Sequence, residues 1–101
     1  MLETLNLSSF SEHLNTKFRI RPDESTVIET ELIAAEDLGS TPRQERFSLI
    51  FRAPHQPILP QRMYRIEHDV MGTLDLFLVP IGVEEDGLRY EAVFNRLHKV
   101  K

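Results

Sequence analysis

A carboxylate, an imidazole and a second carboxylate follow one another at Glu67-His68-Asp69. These residue types serve as acid–base groups and as metal ligands. The triplet lies in a segment where apolar and polar residues alternate, and successive side chains of a β-strand point to opposite faces. We therefore expect His68 to point inward and the two carboxylates to point outward, so that the three do not bind one ion. His68 is predicted to be a hydrogen-bonded histidine near a strand end.

The remaining histidines are scattered, and the common catalytic motifs are missing from the sequence. His13, His55 and His98 show no HExxH spacing, and the chain has no cysteine. No serine lies in a GxSxG motif, and the glycines form neither of the usual phosphate-binding patterns, GxGxxG and GxxxxGK[ST]. We therefore predict no catalytic, cofactor-binding or metal-binding residue, no cofactor and no enzymatic activity.

The composition is that of one globular domain covering residues 1–101. Hydrophobic residues make up 41% of the chain and charged residues 28%, which is ordinary for a folded protein. The net charge of -4 has the wrong sign for binding phosphate backbones, which excludes a nucleic-acid partner. The sequence shows neither a signal-peptide pattern nor an apolar run of about 18 residues, so we predict a cytoplasmic protein without membrane contact.

Alternation of apolar and polar residues with a period of two predicts six short β-strands. Most connections are too short for crossover helices, which favours antiparallel neighbours. The prediction is a mainly β fold: a small antiparallel six-stranded β-barrel with one short N-terminal helix, or alternatively a two-sheet β-sandwich. Phe77 and Val79 make the outer face of the fifth strand apolar too, so this strand is predicted to be covered on both faces. The residues predicted to face inward are Phe18, Ile20, Ile28, Leu32, Ala34, Phe47, Leu49, Phe51, Tyr64, Ile66, His68, Leu74, Leu76, Leu78, Leu88, Tyr90, Ala92 and Phe94.

The predicted helix lies near the N-terminus. Ser9-Phe10-Ser11-Glu12 fits a capping box, in which the serine and the glutamate each bind a free backbone N–H. Phe10 and Leu14 then lie one turn apart on the face that packs, and Asn15 is a plausible end. So short a helix is marginal in water and must be stabilised by packing on the sheet.

A proline-rich connection, residues 54–61, joins the third and fourth strands. Its prolines stiffen the chain and remove backbone donors. Ile58 and Leu59 are expected either to cover the open end of the barrel or to project toward a protein partner. For the second case, the candidate contact residues are His55, Gln56, Ile58 and Leu59.

From Phe47 to Asn95 the chain resembles a family of small, functionally uncharacterised bacterial proteins, and the region of Phe10 and Phe18 is similar more loosely. Ala53 stands where the family usually has a glycine after Arg52. The resemblance implies no assigned activity, no catalytic residues and no cofactor. Members look like neighbours of tail-collar or tail-fibre-like proteins in bacterial genomes, which implies an accessory role and incorporation into a larger, phage-tail-like particle. The shared pattern is FSLIFRAP at residues 47–54, LPQ at 59–61, YRIEH at 64–68, Gly72, LFLVP at 76–80 and RYEAVFN at 89–95.

Two functional hypotheses follow from the sequence. The first is a non-enzymatic protein-interaction or accessory module with a protein partner. The alternative is a β-barrel that binds a small molecule in a pocket near Tyr64 and His68. A homo-oligomer is also conceivable, because Ile50, Phe77 and Val93 are apolar residues at outward positions.

Overall fold

A computed structural model of the chain describes residues 6–97; His98 lies outside the described residues. One short helix and six strands make up this part of the molecule, and every strand pair is antiparallel. None of the helices in the described range is long and apolar enough to cross a membrane. The elements are α1 (Leu7–Ser11), β1 (Lys17–Asp23), β2 (Thr26–Asp37), β3 (Gln44–Ala53), β4 (Arg62–His68), β5 (Gly72–Glu84) and β6 (Gly87–Leu97).

The six strands belong to one sheet that closes in a ring. Going round the ring, the order is β1-β2-β3-β6-β5-β4, and β4 pairs with β1 to complete it. The prediction of a mainly β fold with six antiparallel strands and one short helix is therefore confirmed. The alternative of two packed sheets is wrong, because all strands share one hydrogen-bonded sheet.

Most of the inward positions predicted from the alternation form the hydrophobic core. Large rings fill much of the interior: Phe18, Phe47 and Phe51 have no exposed surface, and Tyr64 and Tyr90 are exposed by no more than 2%. Phe18 packs edge-on against Phe51, with 5.4 Å between the ring centroids. Side chains this bulky close the interior of a six-stranded ring to solvent.

A β-bulge in β2 makes one inward prediction wrong. The register with β3 shifts between Leu32 and Ala34. An extra residue in one strand reverses the faces that follow, because side chains alternate with a period of two. Ala35 therefore pairs with the buried Leu49 and packs against the core, whereas Ala34 lies opposite Ile50 on the outer face.

The outer face of β5 is not covered, which corrects a second expectation. Phe77 is 46% exposed, and no element of the described residues 6–97 packs over it. β5 also continues past Pro80 to Glu84, with a register shift against β6 between Pro80 and Gly82. Its second half pairs with β6 only, whereas its first half, up to Leu78, pairs with β4.

The helix begins earlier than the capping box predicts. Its N-cap is Asn6, whose Oδ1 accepts a hydrogen bond from the Ser9 N–H at 2.9 Å. Asparagine is as good an N-cap as serine, and the Asn6 cap starts the helix one turn before Ser9. The helix also ends earlier than the predicted Asn15: its last residue is Ser11 and its C-cap is Glu12. Asn15 lies in the turn that follows and has a φ of 65°, a conformation that asparagine tolerates. Phe10 is fully buried, as predicted.

The order of the strands explains where the proline-rich connection lies. β3 and β4 are three places apart in either direction around the ring, so the connection from Ala53 to Arg62 must cross one end of it. α1 covers the opposite end, where Phe10 contacts the stacked rings of Phe47 and Phe94. Both ends of the ring are thus closed by chain segments that precede or interrupt the strands.

The β5–β6 turn yields a first prediction. Gly87 has a φ of 135°, and a Cβ built on it would overlap the carbonyl oxygen of Ala53. Gly72 also has a positive φ, 84°, but a Cβ there meets no atom. Gly87→Ala is therefore expected to lower the free energy of unfolding by about 3 kcal/mol or more, and Gly72→Ala by only about 1–2 kcal/mol. Urea unfolding measures both, and equal losses would contradict the overlap.

Candidate functional site

The proline-rich connection is fixed to the inside of the ring by two tyrosine hydroxyls. The Leu59 N–H donates to the hydroxyl oxygen of Tyr90 at 2.9 Å. The hydroxyl of Tyr64 donates to the carbonyl oxygen of Pro60 at 2.6 Å. Burial raises the pKa of Tyr64 above its ordinary value, which keeps this hydroxyl protonated as a donor. These two hydrogen bonds, from the Leu59 N–H and to the Pro60 carbonyl oxygen, hold the connection over the end of the ring.

The structure places the four predicted contact residues in different environments. Leu59 is only 7% exposed and belongs to the core, so it covers the open end and offers a partner nothing. The His55 imidazole is hydrogen-bonded through Nε2 to the carbonyl oxygen of Glu84 at 2.8 Å. Gln56 is exposed, and Ile58 projects outward with 66% of its surface exposed. Ile58 is therefore the apolar residue of the connection that faces solvent.

The contrast between Ile58 and Leu59 provides a second prediction. Leu59→Ala is expected to lower the free energy of unfolding by about 2–4 kcal/mol, because it leaves a cavity beneath the connection. Ile58→Ala, one residue away, is expected to change it by less than about 0.5 kcal/mol. Chemical denaturation of the two variants checks this. Comparable losses at both positions would show that the connection does not close the end of the ring through Leu59.

His68 lies at the end of β4 and bonds in three directions. Its Nδ1 accepts hydrogen bonds from the backbone N–H groups of Val70 and Met71, at 3.0 and 3.1 Å. Its Nε2 lies 2.9 Å from Oγ1 of Thr16, whose hydroxyl donates to the carbonyl oxygen of His13 at 2.6 Å. Because Nδ1 accepts, Nε2 carries the proton and donates it to Thr16. This neutral tautomer joins the β4–β5 turn to the segment that follows α1.

The surroundings of His68 oppose its protonation. Only 6% of the residue is exposed, and its ring lies 4.3 Å from the ring of Phe18 and 4.7 Å from that of His13. Burial lowers the pKa of His68 below its ordinary value, and His13 and Arg19 lower it further, while Asp69 acts in the opposite direction. A second proton would also have to lie on Nδ1, which faces two N–H donors.

The lowered pKa of His68 leads to a prediction on pH. Below about pH 6.5 the unfolded chain binds a proton at this residue and the folded chain does not. Stability that is present above pH 6.5 is therefore lost as the pH falls toward the lower pKa of the folded state. Urea unfolding between about pH 8 and 5 should show this decline in the wild type, and a flatter profile in His68→Gln. A His68→Gln profile as steep as that of the wild type would show that the decline does not come from His68.

The carboxylates next to His68 are engaged elsewhere. Glu67 lies 3.7 Å from Arg19 and 3.8 Å from Arg21, and Asp69 lies 3.0 Å from Arg19. The triplet is thus divided between the outer face and the interior, as the alternation predicts. Within residues 6–97, no group of three or more histidine and carboxylate side chains is arranged to hold a metal ion.

Tyr64 and His68, the two residues of the predicted pocket, do not line a common cavity. They lie four residues apart on one face of β4, which separates them by about 13 Å along the strand. Tyr64 lines an open cleft of about 330 Å³ beside the β1–β2 turn, and His68 is not among the residues of that cleft. His68 is enclosed by Phe18, His13 and Thr16. A second surface pocket, next to Arg52 and Pro54, contains neither Tyr64 nor His68.

An exposed apolar pair lies on the outer face of β4 and β5. Met63 and Phe77 are direct partners across the two strands, and they are 57% and 46% exposed. Val93, 55% exposed, lies at an outward position of β6. Phe77 and Val93 are among the outward apolar residues predicted from the sequence, and Met63 is not. Alternation with the inward Tyr64 nevertheless indicates that Met63 points outward. We call Met63 and Phe77 the outer apolar pair.

The family of the chain follows from a match that spans nearly all of these elements. A family model for a domain of unknown function, DUF6916, matches residues 5–94. The chain belongs to the DUF6916 family. This membership confirms the resemblance to an uncharacterised family, and the matched region contains α1, β1 to β5 and most of β6. No curated protein and no solved structure matches the chain. DUF6916 membership therefore assigns no activity, ligand or site residue.

Proposed function

We propose that this chain is a non-enzymatic protein-interaction module, built on a small β-barrel, that binds a protein partner through its outer surface. The closed ring of six antiparallel strands supports the description as a barrel. The aromatic side chains inside the ring support recognition at the outside, because they occupy the space that a barrel ligand would need. The alternative of a small-molecule-binding barrel called for one pocket shared by Tyr64 and His68, whereas the cleft that Tyr64 lines does not include His68.

The observation that carries the proposal is the exposure of the outer apolar pair. Met63 and Phe77 face each other across β4 and β5 and leave about half of each side chain in water. Aromatic residues and methionine are enriched in protein interfaces, where they fill pockets of the partner. Methionine also adapts its shape to the surface that it meets. The pair is therefore the proposed centre of the contact, and Val93 and Ile58 are further apolar residues available to a partner.

The resemblance described above supplies a proposed setting for this contact. Family members look like genomic neighbours of tail-collar or tail-fibre-like proteins in bacteria, which favours a partner within a phage-tail-like assembly. Synthesis in the cytoplasm and later incorporation into such a particle are compatible with an accessory module of this size. The same surface is also available to a second copy of the chain.

The test is co-purification of the tagged chain from its native cells under gentle conditions. We expect one protein to be recovered with the wild type in constant ratio and to be lost with Phe77→Lys, because a lysine at the centre of an apolar contact is not compensated. Val70→Lys is the matched control, since Val70 is 75% exposed in the β4–β5 turn and lies away from the pair.

Thermal unfolding distinguishes lost binding from lost folding. Both substituted positions are exposed, so each variant should unfold within about 0.5 kcal/mol of the wild type. Elution of the wild-type chain alone, with neither a partner nor a second copy, would contradict the proposal. Equal recovery with Phe77→Lys and Val70→Lys would place the contact away from the outer apolar pair.

A further inference from the structure

The open cleft beside the β1–β2 turn brings three arginines together, and its lining also contains three carboxylates, Asp23, Glu24 and Asp75. Arg21 comes from β1, and Arg62 and Arg65 come from β4. With a volume of about 330 Å³ the cleft is large enough for a small ion or a short side chain. Met63 and Tyr64 also line it, so it borders the outer apolar pair without including Phe77. We call it the arginine cleft.

Two of these arginines are placed against each other by the strand register. Arg21 and Arg65 are direct partners across β1 and β4. Both occupy outward positions, since Ile20 and Ile66 on either side of them are buried. Like charges that face each other directly across a sheet destabilise it. An anion between the two guanidinium groups would remove this repulsion.

The neighbouring carboxylates neutralise the pair incompletely. Glu67 is the acid nearest to Arg21, at 3.8 Å, and it is shared with Arg19 at 3.7 Å. Asp75 is the strand partner of Arg65. Even so, within residues 6–97 neither Arg65 nor Asp75 has an ion-pair contact of 4.0 Å or less.

The acids of the turn do not fill this role either. The Asp23 carboxylate accepts hydrogen bonds from the N–H and the hydroxyl of Ser25, at 2.9 and 3.1 Å. Hydrogen bonds from Thr26 and Ser25 lower the pKa of Asp23, so its charge serves the turn. Glu24, at the tip of the same turn, is exposed. In the part of the chain that the structure describes, neither side chain makes an ion pair with an arginine of the cleft.

Arg62 is oriented by groups that leave its charge uncompensated. Its Nη2 donates to the carbonyl oxygen of Pro22 at 3.1 Å, and its guanidinium carbon lies 4.7 Å from the centre of the Tyr64 ring. Neither partner is an anion. A guanidinium that is fixed by a carbonyl and an aromatic face keeps further N–H donors for a ligand, and its planar geometry matches that of carboxylate and phosphate oxygens.

We propose that the arginine cleft binds a multivalent oxyanion, a phosphate group or a dicarboxylate, between Arg21, Arg62 and Arg65. The ligand accepts N–H bonds from the facing guanidinium groups of Arg21 and Arg65, and Arg62 closes the site beside the β1–β2 turn. The cleft is complete within one chain, so the ion needs no protein partner to bind, although Met63 belongs both to the cleft and to the outer apolar pair.

Titration of the ¹⁵N-labelled full-length chain with inorganic phosphate and with succinate tests the proposal. At about pH 7.5 phosphate carries roughly 1.5 to 2 negative charges. We expect saturable shifts of the arginine Nε–H signals and of the amides of β1 and β4 that line the cleft. The tighter of the two ions shows whether the site prefers phosphoryl or carboxylate oxygens. Sodium chloride at equal ionic strength is the control, and shifts that match it and do not saturate would overturn the proposal.

Two variants separate a site from general screening of charge. Arg65→Gln should lower the affinity for the more tightly bound ion roughly 10-fold to 100-fold, because a charge-assisted hydrogen bond is lost. Arg43→Gln, an exposed arginine in the β2–β3 connection, should leave the affinity unchanged. Equal weakening by both would overturn the proposal.

Thermal unfolding adds a readout that a purely structural arginine would not give. Without the ion, Arg65→Gln should melt at or above the wild-type temperature, because the repulsion between Arg21 and Arg65 is removed. With the ion, the wild type should gain stability and this variant should gain little. A variant that is less stable without the ion, yet gains as much from it as the wild type, would show that Arg65 only supports the sheet.

Discussion

Closure of the sheet depends on the way in which β5 divides its pairing. Its first half, up to Leu78, bonds to β4, and its second half, from Val79, bonds to β6. Without this change of partner the strands would form an open sheet with two free edges. The sheet is closed, and aromatic side chains such as Phe18 and Phe51 fill its interior as a hydrophobic core. The surface that remains accessible is the outer face and the turns.

The two ends of the ring are closed by polar side chains that act on backbone groups. At one end Tyr64 and Tyr90 bind the connection at Pro60 and Leu59, and at the other His68 binds the β4–β5 turn and Thr16. Each of these residues occupies an inward position at which an apolar side chain would suffice for packing. Their polar atoms make the hydrogen bonds that close the two ends of the ring. This structural role accounts for the burial of these three polar side chains without a catalytic role.

Alternation along the chain was enough to predict six antiparallel strands and the inward position of His68, because burial on one face imposes a period of two. It failed where one extra residue or one earlier cap intervened: the bulge before Ala34 and the cap at Asn6 leave no trace in that pattern. The exposure of Ile58 and the burial of Leu59 depend on the order of the strands in the ring, which places the connection over one end. Arg21 and Arg65 face each other because of the register between β1 and β4, which are distant in sequence. Local residue spacing therefore does not predict the cleft.

The register shift between Pro80 and Gly82 has a consequence for how the molecule behaves at high concentration. Beyond Leu78, among the described residues, β5 has a strand neighbour on only one side, and Ile81 and Val83 are 50% and 67% exposed there. Such an apolar margin would ordinarily template fibre growth. Pro80 has no N–H to offer to a neighbouring strand, and a bulge bends the strand that carries it. Both features oppose edge-to-edge growth on this side of the sheet.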